Sequence, residues 1–229
     1  MTATISEPSR MCRDKPVPDG RDLLITIPVN PVRFKASRTR KDRLTRLVRE
    51  HTSQCGFLLT GEVKVDVQWL IHEQDRHESP RSPDLDNILK PLLDALQGPD
   101  GVMVNDSQIQ EISCRWIDWE SREQRLDLRV QHLEDEWVRK NGLVFVQVTP
   151  TLCMPLNCAS SADALITVLD VWEQQFAART KPLARSDYYF ARSVMSLQRP
   201  FHICRLREFR TIPLERFRQE LRQTRPGAV

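Results

Sequence analysis

Two carboxylates stand one residue apart where a polar loop gives way to an apolar segment. Asp84 and Asp86 flank Leu85 at this junction. One aspartate is explained by helix capping, because the first N–H groups of a helix need an acceptor. Two exceed that need, and in an extended Asp-x-Asp segment both carboxylates point to the same side. Mg²⁺ prefers carboxylate oxygens and can activate water for attack on a phosphodiester, so the pair is a candidate metal site as well as a candidate cap.

A third carboxylate and a lysine complete the candidate chemistry. Asp106 lies in a polar turn after a short apolar segment, where it either stabilises the turn or reaches the same cation. Lys90 stands four residues after Asp86, so on a helix the two could form an ordinary ion pair. In an active site Lys90 would instead stabilise phosphate charge. Asp94, four residues further on, is interpreted mainly as the partner of Lys90 or as an acid of the helix surface.

The elements that would position these groups are strands and helices in one mixed arrangement. Their order is a strand at 23–29, a helix in the later part of 34–50, a strand at 63–71, a polar loop at 72–82, a helix at 85–96, and short strands at 102–104, 112–116 and 126–130. This order predicts an α+β fold with a mixed β-sheet and two helices. Pro91 implies either that the regular helix begins near Lys90 or that it bends there.

Three regions of the chain differ in character. Residues 1–20 contain prolines and no apolar period, which predicts a flexible lead-in. Residues 21–131 hold the predicted core and all of the candidate acids. Residues 132–229 form a C-terminal α/β extension of unassigned role, with a strand predicted at 143–148 and a helix at 162–178.

Composition limits the class of protein. The 229 residues are 40% hydrophobic and 28% charged, which excludes a disordered chain. No segment approaches the roughly 18 apolar residues of a membrane span, so we expect no membrane association. The six cysteines lack the spacing of a zinc site. The simplest interpretation is a cytoplasmic protein with reduced thiols.

The positive charge is concentrated locally, although the net charge is only +3. Residues 34–50 contain seven Lys or Arg against two acids, including Lys35, Arg38, Arg40 and Lys41. This segment is either a solvated helix face or an arm that contacts phosphates. Residues 179–225 contain 12 Lys or Arg against 4 acids, a surplus of 12 − 4 = 8.

The segments Asp84-Leu85-Asp86-Asn87…Lys90 and Asn105-Asp106-Ser107-Gln108-Ile109 together resemble the signature of the RusA family of Holliday junction resolvases. The resemblance covers residues 21–131 and implies a homodimer that cleaves branched DNA with Mg²⁺. It implies that Asp84, Asp86 and Asp106 bind the metal and that Lys90 is catalytic. Asn105 departs from the family, which often has two consecutive acids there.

Two functions follow as hypotheses. The first is an endodeoxyribonuclease that acts on four-way junctions or other branched DNA, with Lys35, Arg38, Arg40 and Lys41 holding the DNA backbone. The second is a catalytically weak or inactive DNA-binding or assembly protein, whose C-terminal extension binds a protein partner. Asn105 and the arginine-rich extension motivate the second hypothesis.

Overall fold

The chain divides into two units, residues 1–137 and residues 138–229, which are described separately. The computed structural model describes residues 18, 20–33, 35–79, 84–185, 187–193 and 198–223. Apart from residues 18 and 20, the predicted lead-in lies outside these ranges, and so does the end of the predicted polar loop.

The first unit contains one main sheet and two longer helices. Its elements are β1 (Asp22–Ile27), α1 (Arg38–Thr52), β2 (Phe57–Leu59), β3 (Val63–Ile71), α2 (Glu73–His77), α3 (Leu85–Leu96), β4 (Ile109–Asp118) and β5 (Arg125–His132). The sheet has the strand order β1-β5-β3-β4. β5 runs antiparallel to β1 and to β3, whereas β3 and β4 are parallel. Two adjacent parallel strands need a long crossover, which contains α3. The predicted α+β class with a mixed sheet is confirmed.

One face of this sheet is apolar because its strands alternate in sequence. In β3, Val63, Val65, Val67 and Trp69 are all buried, while Lys64 is exposed. The apolar stripes of α1 and α3 pack into the same core. Burial of one such side chain contributes about 1.5–3 kcal/mol. This packing holds α3, and therefore its acidic end, against the sheet.

Three expectations from the sequence are corrected. The strand predicted at 102–104 is wrong: only Met103 forms isolated β-bridges, with Leu59 and Gln97, and the N–H groups of Val102 and Met103 donate to the carbonyl of Leu96 in a turn. The predicted polar loop contains α2, a single short helix. Cys55 is disulfide-bonded, so the expectation of reduced thiols fails there. The other cysteines in the described ranges are free.

The second unit has its own sheet and core. β6 (Trp137–Arg139) runs through the boundary, and β7 (Leu143–Gln147), β8 (Leu152–Asn157), α4 (Ala162–Arg185), α5 (Tyr188–Ser193), β9 (Phe201–His202), β10 (Thr211–Pro213) and α6 (Leu214–Gln223) follow. The strand order is β10-β7-β8-β9. The predicted strand at 143–148 and helix at 162–178 are confirmed as β7 and α4, although α4 continues further.

The helices of the second unit are joined by an arginine. α4 and α6 bury apolar residues in one cluster with the sheet. Arg218 of α6 is only 12% exposed and donates to Asp170 at 2.8 Å and to Glu173 at 2.6 Å, both on α4. None of the helices in the described ranges combines the length and the apolar content that crossing a membrane requires.

Candidate functional site

The amino end of α3 presents two exposed carboxylates. Asp84 is the N-cap residue, with extended backbone angles (φ −79°, ψ 151°), but its side chain makes no capping hydrogen bond. Asp86 lies in the first turn, and its Oδ1 accepts a hydrogen bond from Asn87 Nδ2 at 3.3 Å. Helix capping therefore does not account for the Asp84 carboxylate. Both side chains are exposed and directed away from the apolar core.

A proline lies inside α3 just after the candidate lysine. The helix begins at Leu85 and continues through Pro91, so the interpretation in which it begins near Lys90 is wrong. Pro91 has no N–H group, so the carbonyl of Asn87, one turn earlier, has no N–H of residue 91 from which to accept a bond. Pro91 itself is buried. A buried proline thus directly follows the exposed Lys90 along the helix.

Lys90 links this helix to the second acidic segment. Its Nζ lies 2.7 Å from Asp94 Oδ1 and 3.0 Å from Asp106 Oδ2. The interpretation of Asp94 as a partner of Lys90 is confirmed. The hydrogen bond to Asp94, and next the one to Asp106, raise the pKa of the Lys90 ammonium above its ordinary value. The group therefore stays positively charged throughout the neutral range.

A buried glutamine shapes the turn that holds Asp106. Gln108 is 6% exposed. Its Oε1 accepts from the N–H groups of Val104 at 2.8 Å and Asn105 at 2.9 Å. Its Nε2 donates to the carbonyls of Leu59 at 3.0 Å and Gly61 at 2.8 Å. All four hydrogen bonds go to the backbone, so this side chain fixes the turn relative to the segment after β2.

A second glutamine and Asn105 complete this support. Asn105 caps the 3₁₀ turn Asp106–Gln108, since its Oδ1 accepts from the N–H of Ser107 at 3.1 Å. Gln97, directly after α3, accepts at Oε1 from Asn105 Nδ2 at 3.0 Å and from the Asp106 N–H at 3.3 Å. The side chain of Asn105 is thus used in the turn. Gln97 and Gln108 were not among the sequence candidates, although Asn105-x-x-Gln108 has the spacing of a capping box.

The structure brings Lys90 and Asp106 into contact, but it does not bring the three predicted metal-binding acids together. Lys90 joins Asp106 to α3, while Asp84 and Asp86 lie about one turn or more before Lys90 on the same helix. Within the described ranges, no group of three or more His, Cys, Asp or Glu side chains is arranged to hold a metal ion. The chemical types nevertheless suit Mg²⁺: the exposed carboxylates supply the hard oxygen ligands that this ion prefers. The fit is thus one of donor chemistry.

The predicted phosphate contacts lie on or near α1. Lys35, Arg38 and Arg40 are exposed, whereas Lys41 is partly buried. Arg38 faces Asp42 at 3.8 Å, in a pair so exposed that it contributes little to stability. Arg40 lines a cavity of about 540 Å³ between α1 and the end of β1. Arg43 lines the same cavity and was not among the predicted contacts.

Comparison with known proteins gives one family match. Residues 30–131 match the family model described as Endodeoxyribonuclease RusA. The matched segment comprises 102 of the 229 residues of the chain. The match contains Lys90 and all three candidate aspartates. It confirms the resemblance to this family for that segment. No curated protein matches the chain.

Proposed function

We propose that this protein, whose residues 30–131 match the RusA family model, is a Mg²⁺-dependent endodeoxyribonuclease that cleaves four-way junctions or other branched DNA in recombination or repair. The observation that carries the proposal is the contact between Lys90 and Asp106. It joins the two acidic segments of the sequence, which are otherwise separated by the end of α3 and a turn. The family match indicates nuclease chemistry, and the substrate and the metal are our inference.

In the proposed site, the carboxylates of Asp84, Asp86 and Asp106 would hold the Mg²⁺. When bound, the ion supplies an activated water and neutralises charge on the scissile phosphate. Lys90 stays protonated, since its pKa is raised. Its ammonium is therefore available to stabilise negative charge that develops on the phosphate. Gln108 and Gln97 act as positioning residues, because they fix the backbone that carries Asp106.

We assign DNA backbone contacts to Lys35, Arg38, Arg40 and Lys41. Such contacts neutralise phosphates without reading sequence, so binding should weaken steeply as salt is raised. The exposed positions of Lys35, Arg38 and Arg40 support this assignment. Lys41 is the weakest member of the set because its side chain is partly buried and already has an interaction.

A homodimer would suit a substrate with two-fold symmetry, because it presents two sites to opposed strands. β4 stands at one edge of the main sheet, next to β3 alone in the described strand order. A strand edge of this kind can pair with a second copy. Light scattering in solution should give a molar mass twice that of the chain.

The alternative is a DNA-binding or assembly protein with little or no catalysis, whose second unit binds a protein partner. Two contacts favour it. The ammonium of Lys90 neutralises Asp106, and the side chain of Asn105 is used in the turn. The first reduces the negative charge available to a cation, and the second occupies an amide oxygen that could otherwise bind one.

The test is cleavage of a synthetic four-way junction in Mg²⁺, with linear duplex as the substrate control. Asp106→Asn should lower the cleavage rate by at least about 100-fold, as expected for loss of a group that stabilises the transition state. Asp94→Asn is the matched control, because Asp94 contacts the same lysine at the shorter distance. It should lower the rate far less.

The outcomes separate the two functions. Equal losses in Asp106→Asn and Asp94→Asn would mean that only the ion pair with Lys90 matters, and Asp106 would not be a ligand. Tight binding of the junction without cleavage in Mg²⁺ or Mn²⁺, unchanged by Asp84→Ala, would support the alternative. Cleavage of duplex and junction at equal rates would remove the structural specificity from the proposal.

A further inference from the structure

Three consecutive aromatic residues are exposed in the second unit. Tyr188, Tyr189 and Phe190, here called the aromatic surface, begin α5. Their exposed fractions are 55%, 80% and 56%. Isolated exposed apolar residues are ordinary, but a continuous group of large rings marks an interaction site.

The aromatic surface is separate from the core of its own unit. That core uses other aromatic residues, such as Trp172 and Phe176 of α4, which are 6% and 8% exposed. The rings of Tyr188 and Tyr189 lie edge to face, with centroids 6.4 Å apart. Despite this contact, both residues remain exposed.

Positive charge accompanies these rings. The guanidinium of Arg179 lies over the ring of Tyr188, with its carbon 5.7 Å from the centroid. Arg185, at the end of α4, is exposed. Residues 179–192 contain four Lys or Arg and one acid, Asp187. The carboxylate of Asp187, directly before α5, accepts a hydrogen bond from the N–H of Phe190 in the first turn of that helix at 2.9 Å.

We propose that the aromatic surface binds single-stranded DNA by stacking its rings on nucleobases, with the neighbouring arginines attracting the phosphates. Aromatic rings stack on any base, and a cationic surrounding follows the backbone. In a duplex the base faces are already covered by neighbouring bases. A duplex would therefore be attracted by the arginines but could not stack on the rings. An acidic protein partner would pair with the arginines but would not account for three consecutive exposed aromatic residues.

This inference goes beyond the proposed cleavage, since it concerns the second unit and requires no chemistry. Branched DNA that contains unpaired bases would offer such a strand. The binding should therefore survive Asp106→Asn, the substitution that tests the nuclease site.

The experiment measures binding of the full-length protein to a fluorescein-labelled oligothymidylate by anisotropy, in EDTA so that no cleavage occurs. The variant is the double substitution Tyr189→Ala with Phe190→Ala. Val171→Ala is the matched control, because Val171 is an apolar residue of α4 that is 44% exposed. Loss of each stacked ring should weaken binding by about fivefold to 100-fold. The control should bind as the wild type does.

Two further ligands distinguish binding by base stacking from binding by electrostatic attraction. Duplex DNA and an abasic oligonucleotide of equal length should bind the double variant and the wild type alike. Tyr189→Trp should retain binding of oligothymidylate, because it keeps a stacking ring. Equal weakening for oligothymidylate and the abasic strand would overturn the proposal, as would unchanged binding in the double variant.

The two proposals can fail separately. A wild type that cleaves junctions but does not bind oligothymidylate overturns the aromatic surface and leaves the nuclease intact. A protein that binds oligothymidylate through these rings but cleaves nothing supports the surface and removes the nuclease. An unchanged melting temperature in the double variant would show that it is folded, so that weaker binding cannot be attributed to unfolding.

Discussion

Replacing Gln108 by leucine should destabilise the first unit strongly. The amide of Gln108 makes four hydrogen bonds with the backbone, and three of them are buried. Leucine has a similar volume but no polar atoms, so these backbone groups would lose their partners. A buried polar group without a partner costs about 1–3 kcal/mol. Three such groups set a range of about 3–9 kcal/mol, and entry of water should reduce the observed loss to about 3–5 kcal/mol.

That loss is large compared with the stability of a typical domain, about 5–15 kcal/mol. It can be measured by urea unfolding followed through tryptophan fluorescence. Four of the five tryptophans lie in the first unit, so the signal reports mainly on it: Trp69, Trp116, Trp119 and Trp137. The matched control is Gln110→Leu, the same change two residues later at an exposed position of β4. It should shift the free energy of unfolding by at most about 0.5 kcal/mol.

A second substitution tests whether the accepting oxygen or the donating NH₂ group of the Gln108 amide contributes more to stability. Gln108→Glu keeps an oxygen for the N–H groups of Val104 and Asn105, but turns the other oxygen toward two carbonyls. The variant should be unstable at neutral pH. It should recover part of the loss as the pH falls, because a protonated carboxyl can donate again. A loss below about 1 kcal/mol in Gln108→Leu, or equal losses in Gln108→Leu and its control, would refute the reasoning.

Three other predictions concern parts of the chain outside this turn. Arg218→Met should lower the free energy of unfolding of the second unit by about 1–2 kcal/mol, since Arg218 is 12% exposed and bonded to two acids of α4. Arg216→Met, at a 74% exposed position, should change it by less than about 0.5 kcal/mol; calorimetry measures both. Burial raises the pKa of the Cys114 thiol to about 11, so its thiolate is scarce at pH 8 and forms only as the pH rises toward that value. Mass spectrometry after alkylation should show exposed Cys204 modified long before Cys114. Gly101→Ala should lower the melting temperature seen by circular dichroism, because a Cβ there would collide with the last carbonyl of α3.

The clearest periodic segments of the sequence were predicted with the bounds that the structure has. β3 and α3 each bury an apolar face, and their other face is more polar, so the period of apolar residues predicts both elements. β2 was missed because it is three residues long and buried throughout, which leaves no alternation to read. The apolar run 102–104 has the composition of a strand. Instead, the N–H groups of Val102 and Met103 donate to the carbonyl of Leu96, and the N–H of Val104 donates to Gln108 Oε1.

The sequence predicted the local structure around the candidate residues, but it did not predict which of them contact each other. The sequence placed Asp106 in a polar turn and Lys90 on a helix, and both positions are correct. Their ion pair depends on how the turn packs beside α3, which no local pattern encodes. Gln108 shows the same limit. The carbonyls that accept from its Nε2, those of Leu59 and Gly61, lie 49 and 47 residues earlier in the chain. The catalytic roles of the acids stay a prediction.

Pro91 has a consequence for the motion of the acidic end of α3. Since residue 91 cannot donate a hydrogen bond, the turn from Leu85 to Lys90 is joined to the rest of the helix by one bond fewer than usual. Segments held by fewer bonds open at lower free energy and exchange their amide hydrogens sooner. The turn that carries Asp86 should therefore exchange faster than the turn that carries Asp94. Lys90 stands at the border between the two, held by Asp94 and Asp106 while the residues before it open and close.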